Sequence, residues 1–298
     1  RRIDVEAYDF PSTIGIWNAT REDGVKYRHL ALKKFITTLA AKRGVDYRTF
    51  EGFRQILPKL TQDNFNEMPI NKWGTTLGGL LAAYYKSSPS TAVLDLIASD
   101  DEFKDIRDLQ SYDFSMAPNR LWKDSKGRPT YMARYATKEL IKVLAERKGA
   151  DYRTVEGFRQ ILGELTQQSF ENVPINRWGT TLVGIMRAYN GSPSKAFLDV
   201  VNHDDDFREI RSRNLQVYDF TQVPKYTWKT KGGRTTAISR YATKELVKVL
   251  AARKGVDYKT VEGIKQILGD FTTESFENIP INDFGTTSRA MFQKAYNY

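Results

Sequence analysis

The sequence predicts an all-α protein, built as a tandem array of three helical modules of about 105 residues, each with a helix-turn-helix-like hairpin. Internal repetition is the first observation behind this reading. "YDF" recurs at 8, 112 and 218, and Trp17, Trp122 and Trp228 are spaced 105 and 106 residues apart. Asp46, Asp151 and Asp257 keep those intervals, as do Pro69, Pro174 and Pro280. Self-similarity at a fixed period marks a repeat array. The second observation is apolar periodicity at three- and four-residue steps, with no stretch alternating polar and apolar long enough to demand a sheet. The boundaries fall at 1–110, 111–216 and 217–298. The third copy stops where the second reads "RAYN", and the first ten residues resemble the tail of a further unit, so the chain is expected to be a segment of a longer array or to end in a shortened capping module.

The second copy shows each element in order. A long helix is expected from Pro129, in its first turn, to Gly149 just past its end. Met132, Tyr135, Ala136, Leu140, Val143 and Leu144 form its apolar stripe. A second helix follows in "DYRTVEGFRQIL", capped by Asp151 or Thr154 and burying Val155, Phe158, Ile161 and Leu162. Thr166 is placed to cap a short third helix, and "PINRWG" is a turn. Thr180 or Thr181 then caps a helix burying Leu182, Ile185, Met186 and Tyr189. Asn190 and Gly191 end it, because both residue types tolerate the left-handed conformation. Ser192 caps the next helix with Pro193 at its first position, and Ala196, Phe197, Val200 and Val201 face inward. "HDDDFREI" starts another short helix.

Composition excludes much chemistry. The 298 residues contain no cysteine and two histidines, His29 and His203. Disulfides, thiol nucleophiles, Cys-based zinc sites and nearly all His-based metal or triad chemistry are thereby set aside. No cofactor and no enzymatic activity are expected. No apolar run approaches the roughly 18–20 residues that span a bilayer, and no signal peptide is visible. These features give an expectation of a cytoplasmic, membrane-free protein, nucleoid- or virion-associated. The formal net charge is +10, an excess that favours a polyanionic partner. It is distributed as +1 over residues 1–111, +4 over 112–217 and +5 over 218–298.

Candidate binding residues follow from that excess. Two short helices across a tight turn form the frame of a helix-turn-helix, whose second helix starts in the major groove. Ser194 and Lys195 stand there in copy two, Ser90 and Thr91 in copy one, and Arg187 lies on the preceding helix. The bland alternative is a generic hairpin of core helices. "LWKDSKGRPT" and "TWKTKGGRTT" precede the long helices of copies two and three. Their Lys123, Lys126, Arg128, Lys229, Lys231 and Arg234 can wrap phosphates, while the tryptophans anchor the core. "IWNATREDGVKY" (16–27), the first copy's version, is far less basic. Arg134, Lys138 and Lys142 form a stripe on the long helix, repeated by Arg240, Lys244 and Lys248; a simply solvated face is the competing reading. "SDDEF" and "HDDDF" can hold a divalent ion or act as ordinary N-cap material. The aromatic in "INKWGTT", "INRWGTT" and "INDFGTT" reads as structural, and Asp283, where Lys72 and Arg177 stand in the other copies, suggests that the modules are not equivalent readers.

The series "W…GR", long helix, "LT..SF" and "GTTL.G…AY.GSP.KAF" resembles tandem helical repeats of unknown function in bacterial and phage proteins, and DNA-binding repeats associated with homing endonucleases. The resemblance runs once per copy from about residue 8 and rests on Trp122, Gly127, Arg128, Phe170, Gly179, Ser192, Pro193 and Ala196 with their counterparts. It implies sequence-tolerant DNA binding without catalysis in the repeats. The expected function is non-catalytic binding of nucleic acid, duplex DNA before RNA. The alternative is a scaffold repeat protein that binds protein neighbours or itself.

Overall fold

The computed structural model describes residues 22–115, 120–221, 223–224 and 226–296. It is helical, and among the described residues β-structure is confined to isolated bridges. Contacts gather the chain into two compact units. One holds Arg1–Leu121 with Arg177–Thr180; the other holds Trp122–Asn176 and Thr181–Tyr298.

The first unit contains α1 (Glu22–Arg43), α2 (Phe50–Ile56), α3 (Gln62–Glu67), α4 (Gly78–Tyr84) and α5 (Pro89–Ser99). The second contains α6 (Tyr131–Lys148), α7 (Val155–Ile161), α8 (Gln167–Asn172), α9 (Pro193–His203) and α10 (Arg208–Ser212). It continues with α11 (Ala237–Lys254), α12 (Val261–Ile267), α13 (Thr273–Asn278) and α14 (Arg289–Tyr296). A long helix, a seven-residue helix, a 3₁₀ turn and a six-residue helix thus follow one another three times.

Local chemistry accounts for each boundary. Thr130 opens α6 by accepting from the Ala133 N–H. Gly149 closes it at φ 64°, the left-handed conformation that costs glycine little. Arg147 and Lys148 lie in the last turn, where cations complement the helix dipole. Between the ends, Ala133, Ala136, Leu140, Ile141, Leu144 and Ala145 are buried. Thr154 caps α7 by accepting from Gly157 N–H at 3.1 Å. A Cβ on Gly157 would lie 2.1 Å from the Asp151 carbonyl oxygen, so this helix starts where only glycine fits. Ser192 caps α9 with Pro193 in its first turn, and Ala196, Phe197, Val200 and Val201 are buried. Burying a side chain such as Phe197 contributes about 2–3 kcal/mol. Asn190 (φ 54°) and Gly191 (φ 72°) make the hairpin turn.

Four local expectations are corrected. Pro129 lies ahead of the cap, bridged to Lys123 outside α6. Neither Thr180 nor Thr181 caps the first hairpin helix of copy two, because the Thr180 hydroxyl donates to Asp113 instead. The segment after Leu182 is a 3₁₀ stretch, Val183–Arg187, whereas its counterpart α4 is α-helical. Thr166 stands at the N-cap of α8 without a side-chain bond to the helix backbone; its hydroxyl lies 3.3 Å from Ser169 Oγ.

The "YDF" segments at 112 and 218 sit in the core of the sequence that precedes them. Phe114 joins the buried cluster of the first unit. Phe220 stacks on Phe197 of α9 at 6.0 Å. That first cluster also includes Trp178, supplied by the second copy of the repeat.

Candidate nucleic-acid interface

The basic loops have a defined backbone. In copy two, Lys123 bridges Pro129, and the Asp124 carboxylate accepts from the Lys126 and Arg128 N–H groups at 2.8 and 2.9 Å. The Arg128 backbone N–H, foremost, holds the Asp124 carboxyl below its ordinary range, and the Arg128 guanidinium adds to the effect. That guanidinium grips Asp124 Oδ2 through Nε and Nη2, both at 2.8 Å. Copy three builds the same loop with Thr230 in place of the aspartate. Lys229 bridges Thr235, and Thr230 Oγ1 accepts from Arg234 N–H at 3.2 Å. Thr230 keeps the turn and removes the carboxylate, so Arg234 and Lys231 are exposed with no ion pair among the described residues. Lys126 and Arg128 are exposed; Lys123 and Lys229 are half-buried. Most of copy one's loop lies outside the described residues.

Each loop runs directly into a long helix. Arg134, one turn in, places Nη1 3.5 Å from the Pro129 carbonyl and 3.7 Å from Asp199. Lys138 is 16% exposed and bonded to Asp204 at 2.8 Å and Asp206 at 2.7 Å. Burial alone would lower its pKa; the two carboxylates outweigh burial and hold it above the ordinary lysine value. Lys142 pairs with Glu139 and Lys248 with Glu245. Arg240 and Lys244 are exposed without an ion pair among the described residues.

Three predicted site residues are withdrawn. Ser90 and Ser194 are buried, each within 3.1 Å of the capping serine, Ser88 or Ser192, so neither hydroxyl faces a ligand. Lys138 is committed to its two aspartates. Thr91 is exposed, with its hydroxyl donating to Ser88 at 2.9 Å. Arg187 and Lys195 are exposed. The hairpin therefore offers isolated cations, and its second helix starts buried at Pro193.

The acidic clusters take their N-cap role. Asp100 accepts from Glu102 N–H at 2.9 Å and Asp204 from Asp206 N–H at 3.0 Å. They also close a tie that sequence reading missed. Lys33 pairs with Asp100 and Glu102 while the Tyr47 hydroxyl donates to Glu102. Lys138, Asp204, Asp206 and Tyr152 repeat this in copy two. A second missed group sets His29 3.0 Å from Asp95 and 3.1 Å from Ser99 Oγ. It has the composition of a catalytic triad, but its parts are already used. The Ser99 hydroxyl donates to Leu96 O, and Asp95 accepts from the Tyr85 hydroxyl at 2.7 Å. Copy two fills the place of His29 with Arg134, against Asp199, which accepts from Tyr189. An arginine cannot act as a base, so the shared role is to tie helices together.

No family model, curated protein or solved structure matches this chain.

Proposed function

We propose that the chain is an array of three helical modules, 1–110, 111–216 and 217–298, that binds duplex DNA without catalysis. Phosphate contacts dominate this binding. They come from the basic loops before α6 and α11, together with the exposed cations Arg187, Lys195, Arg240 and Lys244. The observation that carries the reading is the loop built twice on one backbone plan, each time with exposed cations at the start of an 18-residue helix free of first-turn carboxylates. Exposed N–H groups at such a helix start favour anions. A loop repeated in copies two and three suits a ligand whose charge also repeats, as it does along a duplex.

The test is a salt titration of binding to duplex DNA, single strands and RNA. The logarithm of affinity should fall against log salt with a slope of roughly 0.9 per phosphate neutralised. Arg128→Ala combined with Arg234→Ala should weaken binding to all duplex sequences and flatten that slope. Lys195→Ala should change preference between sequences if it reads a base edge, by about 1–3 kcal/mol. An unchanged slope in the double variant overturns the loop model. If the wild type binds no nucleic acid at low salt, the scaffold reading replaces this one.

A further inference from the structure

The turn of the "INxWGTT" segment is built three times and seated twice. In copy one, Asn71 Oδ1 accepts from Trp73 N–H at 3.0 Å and Thr75 N–H at 3.2 Å, with Gly74 at φ 81°. Copy three repeats this with Asn282, Phe284 and Thr286, at 3.1 and 3.3 Å, and Gly285 at φ 76°. Gly179 in copy two has φ 81°. The turn is therefore organised whether or not its aromatic is covered.

Trp178 is 6% exposed, with its ring 4.7 Å from Phe50 and 6.2 Å from Phe53 on α2. Phe284 is 4% exposed, with its ring 6.4 Å from Phe158 on α7. In both cases the cover is the seven-residue helix of the preceding copy. An ion pair flanks each seat with its signs exchanged: Arg177 on Asp108, and Asp283 on Arg213 at 3.4 Å. Trp73 is 50% exposed, and Lys72 lies over its ring at 5.1 Å without an ion pair among the described residues. Among the described residues, both seated aromatic knobs of this kind lie against the seven-residue helix as their receptor.

The helix of that receptor recurs as α12. Val261 and Ile264 hold the positions of Phe50 and Phe53, and Val261 is 64% exposed. Glu262 stands where Glu51 stands in copy one, and the Glu51 charge acts on the seated Arg177. Lys72 would meet Glu262 in the same sense. We propose that the Lys72–Trp73 turn of one chain docks on the α12 face of a second copy, joining chains head to tail. Knob and receptor are different surfaces, so the contact is heterologous and each chain keeps one free end of each kind.

Sedimentation of the full chain without nucleic acid tests this independently of DNA binding. Average mass should rise with concentration. Trp73→Ala and Val261→Glu should each weaken association at least about tenfold, as expected for an anchoring aromatic and its pocket. Both positions are exposed, so circular dichroism and melting should match the wild type. Trp73→Phe should retain association, since Phe284 occupies the equivalent seat in copy three. The two defective variants, mixed, should form a dimer and stop, because each keeps one working surface. A wild type that stays monomeric throughout overturns the proposal. So does association untouched by Trp73→Ala, or a mixture that yields no dimer.

Discussion

Replacing Trp178 by alanine removes a ring that sequence position assigns to the second copy and packing assigns to the first. The indole lies in the buried cluster that includes Phe53, Leu57, Phe103 and Ile106. The Arg177 guanidinium stands 4.5 Å from the Phe50 ring and 5.5 Å from the Trp178 ring. Trp→Ala in a core costs about 3–5 kcal/mol. The seat lies beside exposed Arg177, so part of the void can fill with water, and the low end of about 3 kcal/mol applies. At roughly 4 °C per kcal/mol for a unit of this size, the first unit should melt about 10 °C lower. Trp73→Ala removes a ring that is already half in solvent and leaves no enclosed void, so it should cost less than about 1 kcal/mol. Urea unfolding followed by circular dichroism, with calorimetry to separate the transitions of the two units, measures both. Equal costs for the two tryptophans, or a Trp178→Ala cost below about 1 kcal/mol, would refute the assignment of Trp178 to the first core.

Lys138→Met should destabilise by about 1–2 kcal/mol, because it strands two partly buried carboxylates whose exposure limits the penalty. Lys138, and then the Tyr152 hydroxyl, hold Asp206 below its ordinary pKa, so this contribution is full above the unfolded carboxylate pKa and is lost as pH falls through the folded one. The acid limb of the wild-type stability curve should therefore be steeper than that of Lys138→Met. Gly157→Ala should cost about 1–3 kcal/mol by driving a methyl into the Asp151 carbonyl, whereas Gly163→Ala, with nothing within 4 Å, should stay within about 0.5 kcal/mol; thermal melts compare them. In DNA binding, Arg234→Ala alone should weaken affinity more than Arg128→Ala alone, since Arg128 is already held by Asp124. Equal effects in a filter-binding titration would count against the role given to that aspartate.

The sequence made legible whatever is decided within a few residues or one helical turn. Thr154, Gly149, Ser192 and Asp204 act as the caps and stops their residue types suggest, and the apolar face of α9 is buried, whereas on α6 Ala136, Leu140 and Leu144 are buried and Met132, Tyr135 and Val143 only half-buried. Periodicity identifies a buried face but does not name its cover, so the seating of Trp178 against the first copy's helix was not readable. Lys138 drops out of the lysine stripe for the same reason. Lys138 reads as exposed along its own helix, and the first of the aspartates that neutralise it is 66 residues further on. Asp283, read as a sign of non-equivalent readers, pairs with Arg213 and restores in reverse the bond made by Arg177 and Asp108. Ser194 was misread because a hydroxyl at a helix start serves a ligand and a capping serine equally well, and here Ser192 takes it.

The exchanged charges at the two seats bear on how such an array survives in a genome. Copies two and three are alike over long stretches, and recombination between like stretches deletes whole repeats. A deletion removing one repeat would bring the turn carrying Asp283 onto the seat carrying Asp108, setting carboxylate against carboxylate where a salt bridge belongs. The shortened protein would keep about two-thirds of its α-helices and place two carboxylates at its remaining seat. The sense of the ion pair thus distinguishes two seats that are otherwise built alike.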